Sequence, residues 1–302
     1  MKKGCFVFLC FVVSYFCQAQ RSEIGGLVGT SFYLGDLNNV PFRNTNYEGK
    51  SVFIPAGGIV YRYNFSPRIA LKANLLFGTV SASDTNNYSF LCLKDVNGNK
   101  IPDSRKWDFR ERKLSFSSPV SEISVQIEIN FFNVYNVGHK NQISPYLFGG
   151  GAIFSFNPQA KYPKDGIIRD LQPIGTEGQG LNGMPEKYKL TSFAIPFGVG
   201  FKANIGRYVC VGAEWGLRCT FTKYLDDVGG LYFDFSTGEY DVAKYFADPS
   251  NSHKPNDQRY STFKNDWYSF AGVVITVRIG NEDRICDVKT NVKLKHNQKR
   301  KK

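Results

Sequence analysis

The stretch SEISVQIEINFF, Ser121 to Phe132, decides the fold. Ile123, Val125, Ile127, Ile129 and Phe131 fall on one side of an extended chain; Glu122, Ser124, Gln126, Glu128 and Asn130 fall on the other. Successive side chains of a strand point to opposite faces, so a period of two predicts a long β-strand with one apolar and one polar face. Elsewhere Ile69, Leu71, Ala73, Leu75 and Phe77 alternate with Ala70, Lys72, Asn74, Leu76 and Gly78. Val209, Val211, Ala213, Trp215 and Leu217 oppose Cys210, Gly212, Glu214, Gly216 and Arg218. Ala271, Val273, Ile275, Val277 and Ile279 oppose Phe270, Gly272, Val274, Thr276 and Arg278.

Eight strands are expected: Glu23 to Leu34, Phe53 to Phe65, Arg68 to Ala82, Leu114 to Phe132, Ile143 to Phe156, Tyr188 to Asn204, Tyr208 to Thr222 and Asp266 to Ile279. Their connections alternate in length. The first, third, fifth and seventh are long, the last of them running from Lys223 to Asn265. The second, fourth and sixth are short turns at Ser66-Pro67, Asn136 to His139 and Ile205 to Arg207. A soluble sandwich would bury the apolar face, whereas a membrane barrel turns it to lipid and fills its lumen with the polar one. Periodicity alone leaves both open. Strand length, loop rhythm and an export signal favour an all-β, eight-stranded antiparallel up-and-down transmembrane β-barrel over residues 20–280.

Residues 1–19 read as a signal peptide: Lys2 and Lys3, an apolar run from Cys5 to Cys17, and cleavage after Ala19. A lipoprotein site at Cys17 is the weaker reading, because Ser14-Tyr15-Phe16 is bulky ahead of it. No stretch is long and apolar enough for a membrane helix, and a mean hydropathy of −0.29 is uninformative about barrels. An aromatic content of 15% suits girdles at the two bilayer interfaces. The predicted location is integral to the outer membrane, in contact with its lipids, with both barrel ends in the periplasm.

Inward charges are expected at Arg62, Lys72, Glu122, Glu128, Lys202, Glu214, Arg218 and Arg278. An eight-stranded barrel has room only for side chains, so these should pair into a network that plugs the lumen. The net charge of +12 is concentrated after Gly280, where eight Lys or Arg residues face Glu282, Asp283 and Asp287. Residues 281–302 therefore read as a basic periplasmic tail, expected to be disordered. Nucleic acid is not a partner expected of an exported chain.

Candidates for chemistry are few. Once the signal leaves, Cys92, Cys210, Cys219 and Cys286 remain, without metal spacing; Cys210 and Cys219 should face opposite sides and not bridge. The histidines are His139, His253 and His296. Only His253, with Asp226 and Asp227, shares a connection with a carboxylate pair, and a turn role for those acids outweighs catalysis. Asp95 to Asp103 loosely resembles a calcium loop but lacks its terminal Glu, so an Asn-Gly turn is the better reading. Gly149-Gly150-Gly151, Gly198 and Gly200 lie inside strands, where they indicate a bend, a bulge or a crowded lumen. The chain is expected to be no enzyme and to need no cofactor.

Several stretches together resemble the PorG-like outer-membrane β-barrel family of Bacteroidetes, components of the type IX secretion machinery. They are RSEIG (Arg21 to Gly25), FYLGDLN (Phe32 to Asn38), PAGGIVYRYNFSPRIALKANLLFG (Pro55 to Gly78) and SPYLFGGGAIFSFNPQA (Ser144 to Ala160). LQPIGTEGQG (Leu171 to Gly180), EWGLRCTFTKYLDDVGGLY (Glu214 to Tyr232) and DWYSFAGV (Asp266 to Val273) complete them. The loop motifs are the most specific: Gln172, Pro173, Gly175, Glu177, Gly178, Gln179 and Gly180, then Tyr224, Leu225, Asp226, Asp227 and Gly230. The resemblance implies a non-enzymatic component that anchors or organises a periplasmic secretion ring, made of a lipoprotein and its partner. The basic tail departs from the family's barrel. The alternative is a general envelope-stability or adhesion barrel that binds through its outer loops or its tail. A third reading is a hydrolase at the barrel mouth.

Overall fold

The computed structural model describes residues 22–38, 42–84, 112–132, 143–206, 208–236, 240–260 and 265–279. The signal peptide, Cys92, the Asp95 to Asp103 segment, the turn with His139, Cys286, His296 and the basic tail lie outside the described residues.

Eight long strands make the wall: β1 (Ser22–Leu34), β2 (Pro55–Asn64), β3 (Ile69–Ser83), β4 (Ser115–Asn130), β5 (Ile143–Phe156), β8 (Thr191–Ile205), β9 (Val209–Thr220) and β10 (Trp267–Ile279). All are antiparallel to their neighbours, and the β1–β10 and β3–β4 pairings close the ring. The expected strands are thus present, β5 with the expected bounds. β8 departs most, beginning at Thr191 because Tyr188 turns away to stack on Tyr224.

Register fixes the shape. From Ser22 the pairing runs through Tyr63, Leu71, Ile127, Gly149, Phe197, Leu217 and Ser269, and returns to β1 at Phe32, ten residues further on. With strands ~4.8 Å apart and ~3.3 Å per residue, eight strands and that stagger give a tilt of about 40° and a radius of about 8 Å. Such an interior is one or two side chains across.

Both faces fall where alternation puts them. On β4, Ile123, Val125, Ile127 and Ile129 are 50–66% exposed, whereas Glu122, Ser124, Gln126, Glu128 and Asn130 are buried. Phe193, Ile195, Phe197, Val199 and Phe201 of β8 and Val273, Ile275, Val277 and Ile279 of β10 extend the apolar outer wall. An apolar wall around a charged interior is the arrangement of a membrane-spanning barrel. Cys210 faces in and Cys219 does not, and both are free thiols.

The lumen is less polar than the alternation predicts. Leu27, Ala56, Val60, Leu76, Phe270 and Val274 form one apolar cluster. A larger one, with Tyr33, Val80, Phe116, Phe154, Phe156 and Tyr268, continues into Leu37, Leu225 and Val228 of the connections. Side chains meet other side chains there, so apolar inward residues are stabilising. The strand glycines make room for them. A Cβ on Gly198 would lie 2.6 Å from the Phe148 ring, and one on Gly200 would lie 2.3 Å from Tyr146. The β5–β8 ladder also skips Gly150 and Gly151, where Pro196 opposite has no N–H to donate.

At the long-loop end the fifth connection adds a hairpin, β6 (Gln159–Lys161) and β7 (Ile168–Asp170), and a single helical turn, α1 (Leu171–Ile174). The seventh adds α2 (Asp241–Ala247). Both chain ends of the barrel lie at the opposite end, since Ser22 pairs with Ile279.

Candidate functional site

All eight expected inward charges face the lumen, where they pair in three tiers. Near the short-turn end, Arg62 Nη1 donates to Glu23 at 2.7 Å and its Nε to Glu128 at 3.0 Å. Lys202 holds the other oxygen of Glu128, and Arg278 Nε lies 3.6 Å from Glu23. In the middle, Lys72 reaches across to Glu214 at 2.7 Å, where the Tyr146 hydroxyl also donates at 2.9 Å. The Lys72 ammonium lies 4.0 Å from the centre of the Phe148 ring. Above, Glu122 accepts Arg218 Nε at 3.0 Å and the Tyr268 hydroxyl at 2.7 Å.

Arg62 and Lys72 are register partners, a repulsive placement relieved by sending their charges in different directions. Glu23, absent from the expected set, is the register partner of Arg62 and fully buried. Its own face of β1 continues as Gly25, Leu27 and Gly29, which gave no polar alternation to read.

The loop-motif residues converge into one cap over the mouth, buried from Gly175 to Gln179 and from Leu225 to Gly229 and exposed at Pro173 and Gly180. The Glu177 carboxylate accepts the N–H groups of Gly229 and Gly230, both at 2.9 Å, and Arg259 Nη1 at 3.1 Å. Gln179 accepts Glu177 N and donates back to its carboxylate. Gln172 donates to the Tyr188 carbonyl at 2.9 Å, and the Pro173 carbonyl accepts Lys187. Gly175, at φ 70°, ends α1, and Gly178 and Gly180 share its left-handed conformation. Tyr224 stacks on Tyr188 at 4.5 Å, Leu225 is fully buried, and Asp227 accepts Thr176 and Tyr188.

Arg259 ties these pieces together. It is 1% exposed, and besides Glu177 it donates to Thr176 Oγ1 and to the carbonyls of Asp227, Ala247 and Phe246. A second buried guanidinium, Arg112, holds Asp84 and donates to the carbonyls of Asp36 and Arg259. Burial pushes the Asp227 carboxyl up to about 6 against the pull of Arg259, and pushes Asp84 up to about 6 against Arg112. Burial and the Glu177 charge raise the Tyr224 phenol to about 12.

Beneath the cap, Asp36, Asp226 and Asp266 bring carboxylate oxygens within 4.8 Å of one another, all buried. Two full charges at that spacing would repel by roughly 3.5 kcal/mol at an effective dielectric of about 20. Burial and then the neighbouring carboxylates raise Asp226 and Asp266 well above the usual range. Acids cluster commonly without an ion, and nothing else among the described residues marks a metal site here.

The structure does not assemble the catalytic grouping considered from sequence. His253 Nδ1 lies 3.1 Å from Asp248, and its ring stacks on Tyr232 at 4.4 Å. Asp226 instead accepts Tyr33 Oη and Val228 N, the turn role, and Asp227 belongs to the Arg259 network. Sequence reasoning missed Arg112 and Arg259 because an isolated Arg in a polar loop reads as a solvated charge. Asp36 and Asp266, by contrast, lie within the motif stretches FYLGDLN and DWYSFAGV.

Solved barrels are similar in fold at low identity. Neisserial surface protein A is 9% identical, with a TM-score of 0.39 over 85% of this chain and 97% of that one. The attachment invasion locus protein Ail of Yersinia pestis, in complex with a heparin analogue, is 8% identical at a TM-score of 0.36, over 85% and 97%. OprG of Pseudomonas aeruginosa is 8% identical at 0.34, over 85% and 96%. The chain matches no curated protein. Residues 2–170, more than half of the chain, match DUF6089, a domain of unknown function, and the chain belongs to that family.

Proposed function

We propose that the protein is a non-enzymatic outer-membrane component of the type IX secretion machinery, anchoring or organising its periplasmic ring. The observation that supports an anchor over a channel is the interior: three tiers of ion pairs cross the lumen, and a buried cap covers its mouth. Breaking a buried ion pair by withdrawing one partner costs about 3–5 kcal/mol. A barrel closed in this way holds a position in the bilayer rather than passing solutes. The secretion assignment rests on the motif resemblance, and the short turns, both barrel ends and the basic tail are read as periplasmic, facing the ring lipoprotein and its partner.

The test is a pull-down from solubilised outer membrane alongside secretion in a deletion strain. Recovery of ring components with loss of secreted cargo is expected; recovery of none, with normal secretion, would sink the proposal. The cap gives the second reading, an adhesion or envelope-stability barrel, some footing: Ile167, Ile168 and Leu231 on it are 46–55% exposed. Deleting residues 281–302 separates tail docking from loop binding, because an unchanged periplasmic interactome would count against the tail.

A further inference from the structure

We propose that Tyr33, Asp36, Asp226 and Asp266 form a proton-operated clasp, which ties the first long connection to the seventh and lets go when it ionises. Its basis is a proton count. Tyr33 Oη lies 2.6 Å from Asp226 Oδ2 and 2.9 Å from Asp266 Oδ1, and accepts the Asp36 N–H at 2.8 Å. One hydroxyl has one proton to donate. If that proton goes to Asp226, the short contact to Asp266 needs a proton from the Asp266 carboxyl, and the reverse holds equally. The closed geometry therefore contains a protonated carboxyl.

Among the described residues one guanidinium stands beside the trio, Arg112, and the Asp36 and Asp84 charges share it. Tyr33 faces the cluster from β1, Asp36 from the Gly35–Asn38 bridge, Asp226 from the seventh connection and Asp266 from the residue before β10. Arg112, just ahead of β4, approaches through the Asp36 carbonyl, but its guanidinium is matched by Asp84, which follows β3. Asp227, next to Asp226, is held by Thr176 and Tyr188 and belongs to Arg259. Asp36, Asp226 and Asp266 are 3%, 2% and 1% exposed, so water cannot screen a fully ionised trio.

Ionisation has a defined mechanical outlet. Asp266 accepts Leu225 N at 3.0 Å with the oxygen that Tyr33 does not use. Driving Asp226 and Asp266 apart removes the Tyr33 bridge and that bond together. The turn from Tyr224 to Gly230, which carries the Glu177 and Arg259 contacts, then loses its hold on the wall. Because the folded state favours the protonated form, the clasp is tightest at low pH and loosens as pH rises.

The experiment uses the full mature chain in lipid nanodiscs, washed with chelator, titrated from about pH 4 to about pH 10. Infrared difference spectra should show the carbonyl stretch of a protonated carboxyl that disappears as pH rises and is lost in Asp226→Asn or Asp266→Asn. Spin labels on E48C and D257C, in a background without the native cysteines, should move apart over the same pH range. The Asn variants should keep the short distance at high pH. Absence of the band in the wild type, or a label distance that stays constant while the band disappears, overturns the proposal. Should the Asn variants fail to fold, the titration is read in Asp84→Asn with Asp227→Asn, which removes the two other buried carboxyls that titrate near 6; loss of the band there overturns the proposal.

Discussion

Replacing Arg259 by Ala should detach the cap while leaving the barrel closed. The side chain makes five donor contacts, to Thr176, Glu177, Asp227, Phe246 and Ala247, and only 1% of it is exposed. Its removal strands Glu177 and Asp227 in a dry site. Breaking a buried ion pair from one side costs about 3–5 kcal/mol. At about 1.4 kcal/mol per factor of ten, the cap opens roughly 140- to 3,700-fold more often. Asp227 moderates the loss. Its carboxyl is already at about 6, held down by Arg259, so without the guanidinium it takes up a proton near neutral pH and sheds part of the charge cost. The defect should therefore be smaller at pH 5 than at pH 8.

Hydrogen exchange by mass spectrometry on the protein in nanodiscs gives the readout. Peptides covering 171–180 and 224–232 should lose protection by that factor, while β4 and β8 keep theirs. Exposed Lys254 provides the control, since Lys254→Ala should change neither. Unchanged cap protection in Arg259→Ala, or a loss that spreads equally into β4 and β8, would refute the view that Arg259 holds a separately stable cap.

In the lumen, Lys72→Met leaves Glu214 with only the Tyr146 hydroxyl and should destabilise the barrel by about 3–5 kcal/mol in urea titrations. Adding Glu214→Met should recover most of that, and a neutral single variant would show the pair to be idle. On the outer wall, Ile127→Lys at a bilayer midplane should cost about 2–4 kcal/mol and slow folding into vesicles; normal folding would argue that this face does not meet lipid. Asp84 and Asp227 have folded values of about 6 against an ordinary 3.8, so they stabilise most below about pH 4, and that contribution fades as pH climbs through 6. The loss is up to about 3 kcal/mol each, visible as cap exchange that accelerates from pH 4 to 7; exchange slowing relative to the intrinsic rate over that window would contradict it.

The wall was legible because lipid and lumen impose opposite demands on alternate residues. β4 and β5 could be bounded from sequence to within two residues, and the inward charges read directly from the polar face. Glu23 escaped because small and apolar residues follow it inward along β1. The cap escaped for a different reason. Its order comes from pairings such as Arg259 with Glu177, 82 residues apart, and no local period records such a contact. One cap element did leave a signal: Asp165-Gly166, with Gly166 at φ 73°, is a hairpin turn between β6 and β7 inside a stretch read as loop. The motif residues come together as a group, and their chemistry is mutual. Glu177, Gln179, Asp227 and Gly230 bind each other and Arg259, so they shape the surface rather than present themselves on it.

That arrangement limits where any partner can act. A solute moving through the barrel would have to part the Arg62, Lys72 and Arg218 tiers and also the Arg259 cap. Each disruption leaves charge unpaired in a dry interior at about 3–5 kcal/mol, and the tiers share β4, through Glu122 and Glu128, and β9, through Glu214 and Arg218, so parting one disturbs the next. A partner that docks on the turns or on the cap surface meets no such barrier, because the groups it touches are already solvated. The same charges also tie the wall together, since Arg62 alone links β1, β2 and β4. The interior thus favours a role exerted at the ends of the barrel, and the cap and the short turns are the two places to look for it.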